Sequence, residues 1–189
     1  MVVNEKALVR EMKEAFKGWG YTVIVRPGDE WVISSRFWVV QLSGMKNVPR
    51  EVLSLLALHM GFLPETGNAY RVYKSGDEAV VQNEVFAVAL EPIEKLEEAR
   101  AQSADAPLWI QRTKLLFDKT RVWQQERNLK ILLIDPRFET IIAGKTEVRT
   151  VGDAIYAEGE ISDVYVMRVL NDTDKIQLDH LAQMQWIAT

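Results

Sequence analysis

The stretch YTVIVRPGDEWVISSRFWVVQL, residues 21–42, decides the fold because it holds three strand signals in close succession. Its segments YTVIVR, WVISS and RFWVVQL are rich in β-branched and aromatic residues, which favour extended chain. The turn PGDE joins the first two segments. Strands linked by short turns pair antiparallel, so the sequence predicts a meander.

Helical patterns lie on both sides of this meander. Asn4 is a suitable N-cap for a helix that Gly18 and Gly20 would end. Its apolar residues follow the spacing of one helix face: Leu8, Met12, Ala15, Phe16 and Trp19. A second helix is predicted for NVPREVLSLLALHMG, with Asn47 as its cap and Gly61 as its end.

One face of this second helix is mixed. At 100° per residue, Leu58 shares an arc of about 100° with Arg50, Glu51 and Ser54. We expect Leu58 to seal against the rest of the fold, and the alternative is an exposed docking patch. His59 is expected to be structural, because it lies in the last helical turn, where a ring nitrogen can reach free carbonyls.

The rest of the chain continues the mixture of strands and helices. The segments AYRVYK and EVFAVAL are predicted as strands on either side of the turn SGDE. The further predicted strands are WIQRTKLLF, RVWQ, LKILLI, EVRTV, AIYAEG and DVYVMRVL. The further predicted helices are EPIEKLEEARAQ, a short one at PRFETIIAG and a closing one at 171–186. The stretch SADAP is the best candidate linker. The sequence therefore predicts an α+β fold of two small lobes, 1–103 and 104–189, each a mostly antiparallel sheet packed with two helices.

Composition restricts the function. The 189 residues are 48% hydrophobic and 26% charged, with a net charge of -4 and no cysteine. A basic nucleic-acid-binding protein would carry an excess of lysine and arginine, so no strong direct nucleic-acid binding is expected. The apolar runs are too short to span a membrane, and the amino terminus lacks the apolar run of a signal peptide. We expect a cytoplasmic protein.

Residue motifs predict neither catalysis nor a cofactor. The only histidines, His59 and His180, are not spaced as metal ligands. Neither GKT at 144–146 nor GWG at 18–20 completes a nucleotide-binding motif. Asp172 and Asp174 fit a helix N-cap better than a calcium loop. The expectation is a protein that is not an enzyme, with no catalytic residues, metal site or cofactor.

The stretch AEGEISD contains the acidic residues Glu158, Glu160 and Asp163. A glycine-containing turn gives little desolvation, so a general acid–base role for these carboxylates is not supported. The favoured interpretation is a solvated turn. The alternative is an acidic docking patch, and these three residues and Leu58 are then the candidate interaction residues.

Read together, the segments LVREMKEAFKGWGYTVIV, FWVV, NVPREVLSLLALHMGFLP, RTKLLFDKTRVWQ and LDHLAQMQWI resemble a family of small proteins from phages and mobile elements of gut bacteria. The resemblance spans nearly the whole chain, but its motifs are packing motifs. One branch of such families has anti-CRISPR activity. This implies an inhibitor that binds a type II RNA-guided effector nuclease, or its guide-RNA complex, in the host bacterium and blocks DNA cleavage without catalysis. The alternative function is an accessory binding protein of phage DNA replication or metabolism.

Overall fold

The computed structural model describes residues 1–84, 91–105, 108–117, 119–125, 127, 130–144 and 146–167. Two predicted elements therefore lie outside the described residues: most of the strand EVFAVAL and the closing helix at 171–186. His180, Asp172 and Asp174 also lie outside them.

Four α-helices occur in the described ranges. They are α1 (Glu5–Lys17), α2 (Arg50–Met60), α3 (Glu91–Asp105) and α4 (Pro136–Glu139). The first follows its prediction closely, because the Asn4 side chain accepts a hydrogen bond of 3.3 Å from the Ala7 N–H and Gly18 is the C-cap. Trp19 lies beyond the helix and is 45% exposed.

The described strands form two antiparallel sheets, so the predicted α+β class is confirmed. The strands are β1 (Tyr21–Arg26), β2 (Glu30–Ser35), β3 (Trp38–Ser43), β4 (Ala69–Ser75), β5 (Glu78–Asn83), β6 (Ile110–Phe117), β7 (Thr120–Gln125), β8 (Ile131–Ile134), β9 (Arg149–Val151), β10 (Ala154–Ala157) and β11 (Ser162–Met167). The larger sheet has the order β5-β4-β1-β2-β3-β11-β10-β9, and the smaller has the order β6-β7-β8. The predicted meander forms the β1-β2-β3 portion of the larger sheet.

The predicted boundary between residues 103 and 104 does not separate the two sheets. Strand β11, from the second half of the chain, pairs with β3, from the first half, with Val164 opposite Val40. The linker prediction is wrong for its first residues, because α3 continues through Asp105. The backbone hydrogen bonds between β3 and β11 join the two halves in one sheet.

The central strands of the larger sheet are buried on both faces. On one face, Val23, Ile33 and Val40 belong to the same core as residues of α1 and α2. On the other face, Ile24 packs in a cluster with Leu96 of α3. A sheet covered on both faces requires apolar side chains at consecutive positions, which explains the unbroken apolar segments of β1, β2 and β3.

Every helix in the described ranges is too short or too polar to cross a lipid bilayer. Within the same ranges, no three His, Asp or Glu side chains form a group that could hold a metal ion.

Candidate functional site

Helix α2 begins later than its sequence predicts. Asn47 does not cap it but lies in a 3-10 turn, Met45–Asn47, where its side-chain amide donates to the Ser43 carbonyl oxygen. Pro49 occupies the N-cap position, and the helix ends at Gly61 in the left-handed conformation, with φ 80°. The Asn47 amide stabilises the preceding turn, so it is not available to cap the helix.

The favoured prediction for Leu58 is wrong. Leu55, three positions before it, is 4% exposed and belongs to the core, whereas the side chain of Leu58 is 76% exposed. Leu55 and Leu56 face the core, and the rest of the described fold leaves Leu58 uncovered. The alternative considered for this residue, an exposed patch, matches its position.

Leu58 borders a groove between α1 and α2, with a volume of about 360 Å³. The residues that line this α1–α2 groove are Val9, Lys13, Arg50, Glu51, Ser54, Leu55 and Leu58. Its apolar members come from both helices. Two of its charged residues, Lys13 and Arg50, are basic and one, Glu51, is acidic, so the groove is apolar with a net positive lining.

His59 has the structural role expected of it. Its ring stacks on Phe16 with centroids 3.8 Å apart, and its Nδ1 lies 3.0 Å from the Tyr21 hydroxyl. Burial raises the pKa of Tyr21, so this phenol stays protonated beside the imidazole. Burial and then the positive charge of Lys13 lower the pKa of His59. These contacts fasten the end of α2 to α1 and β1.

The docking prediction is wrong for Asp163, which is 3% exposed. Its carboxylate accepts hydrogen bonds from the Arg100 guanidinium of α3, from the Tyr156 hydroxyl at 3.1 Å and from the Gly159 N–H at 3.2 Å. Burial and then the charge of Asp163 raise the pKa of Tyr156. The pairing of β11 with β3 places Asp163 inside the larger sheet, where α3 covers it.

The other two acidic candidates are exposed. Glu158 accepts a hydrogen bond of 3.1 Å from Arg149, which offsets its charge, and Glu160 lies on the turn before β11. The four candidate interaction residues therefore do not form one surface. The two glutamates are at the surface, the aspartate is buried, and Leu58 lies on a different element. A role for Glu158 and Glu160 in binding stays a prediction.

Sequence reasoning missed a second cavity, of about 500 Å³, beside strand β6. Its walls include Trp109 and Arg112 on or next to β6, Trp123 on β7 and Glu139 on α4. These residues come from separate segments and share no spacing. The sequence does place a tryptophan on a strand, Trp123, before a glutamate on a following helix, Glu139. Such pairs are too common in proteins to indicate a cavity.

Glu139 is the buried charge in this cavity, and it is 4% exposed. Its Oε2 accepts a hydrogen bond of 2.8 Å from the indole N–H of Trp123. Its Oε1 lies 3.0 Å from Nη2 of Arg112 and 3.6 Å from Nε of Arg121, but neither contact has the alignment of a hydrogen bond. The carboxylate is therefore charge-compensated and retains capacity to accept a hydrogen bond.

Comparison with known proteins adds little to this geometry. No protein-family model matches the chain, and no curated protein matches it. Among solved structures, the chain is similar to the beta subunit from DNA polymerase of Streptococcus pyogenes, with 10% identity and a TM-score of 0.34. The alignment covers 92% of this chain and 66% of the polymerase subunit. A likeness of this size supports no argument about fold or function.

Proposed function

We propose that this protein is a non-catalytic binding protein whose α1–α2 groove receives an apolar side chain of a partner protein. The observation that carries the proposal is the 76% exposure of Leu58 on a helix whose Leu55 and Leu56 are buried. Large apolar side chains exposed beside a groove mark interaction sites more often than isolated surface leucines do. Val9 and Leu55 extend the apolar lining beyond Leu58 itself.

The proposed partner is a type II RNA-guided effector nuclease, which is the partner that the family resemblance implies. The protein would then be an anti-CRISPR inhibitor of phage or mobile-element origin that acts in the host cytoplasm. Lys13 and Arg50 beside the groove suit an apolar side chain flanked by carboxylates. The nuclease channels for guide and target are positively charged, so they would repel this surface. The groove would therefore contact an acidic part of the nuclease exterior.

A cleavage assay with matched variants tests the proposal. Purified protein is added to several type II nuclease–guide complexes, and DNA cleavage and comigration in gel filtration are measured. We expect the wild type to block one of them at a near-stoichiometric ratio. Leu58→Ser should weaken binding to that nuclease by at least about tenfold, because burying a leucine side chain contributes about 1.5–3 kcal/mol and a tenfold change corresponds to about 1.4 kcal/mol. Leu116→Ser is the matched control, because Leu116 is 53% exposed on β6 and lies outside the groove.

The outcomes separate the alternatives. Unimpaired cleavage at large excess, across all the nucleases tested, would refute inhibition. If the protein instead copurifies with replication factors and leaves cleavage unchanged, it is an accessory protein of phage DNA replication. Equal binding by the Leu58 and Leu116 variants would show that the partner contacts another surface.

A further inference from the structure

The cavity beside β6 forms where two paired segments separate. The Ile110 N–H donates to the Val148 carbonyl at 3.1 Å, and the Thr150 N–H donates to the Leu108 carbonyl at 2.9 Å. These bonds flank the bridge between Trp109 and Arg149. Further along, Gln111 and Arg112 on one side and Thr146 and Glu147 on the other line the cavity of about 500 Å³. This volume falls within the range of about 300–1,000 Å³ typical of small-molecule sites.

Buried polar groups next to this cavity lack partners. Gln125 is 1% exposed, and both its side-chain nitrogen and its oxygen are without a hydrogen bond among the described residues. It pairs with Ile110, which lines the cavity, so the two side chains lie on the same face of the sheet and Gln125 is adjacent to the cavity wall. A buried amide without partners costs free energy, and such groups in native proteins commonly serve a ligand or an ordered water.

The cavity combines a flat apolar wall with adjacent donors and acceptors. Trp109 supplies an aromatic ring, over which the guanidinium of Arg149 lies at 4.8 Å. Arg112, 54% exposed, has N–H groups that its contact with Glu139 does not use. The Glu139 carboxylate is the acceptor. Arg112 and Arg121 together balance the charges of Glu139 and Glu147, so the site favours a neutral, planar ligand that carries both donors and acceptors.

Nucleobases are ligands of this kind. Guanine presents O6 and N7 to a guanidinium and its ring and amino N–H groups to a carboxylate, whereas adenine offers no carbonyl oxygen. Base stacking on an aromatic side chain contributes about 1–3 kcal/mol. We propose that the cavity between Trp109, Arg112 and Glu139 binds the guanine base of a free nucleoside. This site is independent of the α1–α2 groove and of the function proposed for it.

Calorimetric titration of the full chain with guanosine and with adenosine tests the proposal. We expect saturable binding of guanosine that is at least about tenfold tighter than that of adenosine, the selectivity of a good bidentate contact. Arg112→Met and Trp109→Leu should each weaken guanosine binding by about tenfold. Lys114→Met is the matched control, since Lys114 is an exposed cation on the same strand outside the cavity. Circular dichroism checks that each variant is folded.

Three results would overturn the assignment. These are the absence of saturable guanosine binding to the wild type, equal affinity for adenosine and guanosine, and guanosine binding that the Arg112 and Lys114 variants weaken alike. Arg112 is half exposed, so its variant is expected to fold and to give an informative titration.

Discussion

The α1–α2 groove and the cavity beside β6 depart in opposite ways from the usual distribution of side chains. In the groove a large apolar side chain, Leu58, is 76% exposed. In the cavity a charged one, Glu139, is 4% exposed. Buried carboxylates and exposed apolar patches are the informative exceptions in a globular protein, because burial normally favours the reverse arrangement.

The two exceptions differ in what holds them in place. Leu58 needs no support from its neighbours, because the buried face of α2 fixes the helix and leaves Leu58 free for a partner. Glu139 needs Trp123, Arg112 and Arg121 around it, because an uncompensated buried charge is strongly destabilising. The comparison teaches that a change at Leu58 should affect binding alone, whereas a change at Glu139 should affect stability first.

The largest expected effect comes from Glu139→Ala. Removing this carboxylate leaves the buried Trp123 N–H without an acceptor and takes away the nearby negative charge that compensates Arg121, which is 17% exposed. The expected loss in free energy of unfolding is about 3–5 kcal/mol, measured by urea denaturation. Glu147→Ala, on the exposed wall of the same cavity, is the control and should change the free energy of unfolding by less than about 0.5 kcal/mol. Similar values for the two variants would show that water already solvates Glu139.

A smaller effect is expected within α2. Leu55→Ala removes a core side chain and should cost about 2–5 kcal/mol. Leu58→Ala removes an exposed one and should cost less than about 0.5 kcal/mol. Thermal or urea unfolding of the two variants measures the difference. Equal large losses would place Leu58 in a packed environment and remove the basis for the groove as a docking site.

The smallest effect is a pH dependence at the end of α2. The pKa of His59 is lowered from its ordinary value of 6.5, chiefly by burial and further by Lys13. Between that lowered pKa and 6.5 the unfolded chain binds more protons than the folded one, so stability falls on acidification. This contribution to stability is fully retained above pH 6.5 and declines below it. Urea denaturation at several pH values should show a shallower decline for His59→Gln than for the wild type, and parallel curves would contradict this assignment.

Local patterns predicted much of the secondary structure. Asn4 and Gly18 bound α1 as its sequence indicates, and the β1-β2-β3 meander follows from β-branched runs and short turns. The prediction failed where one residue had two possible partners. Asn47 was a suitable helix cap, but its amide donates to Ser43 instead, and this choice depends on the path of the chain after β3.

The sequence by itself determined the α+β class, most element positions and the structural role of His59, because these depend on periodicity and on neighbours along the chain. Only the tertiary structure decided that β11 joins β3 in one sheet, that Asp163 is buried under Arg100 and that Leu58 is exposed. It also assembled Trp109, Arg112, Trp123 and Glu139 around one cavity. Pairing between distant strands sets the burial of each side chain, and no local spacing encodes which distant strand will pair.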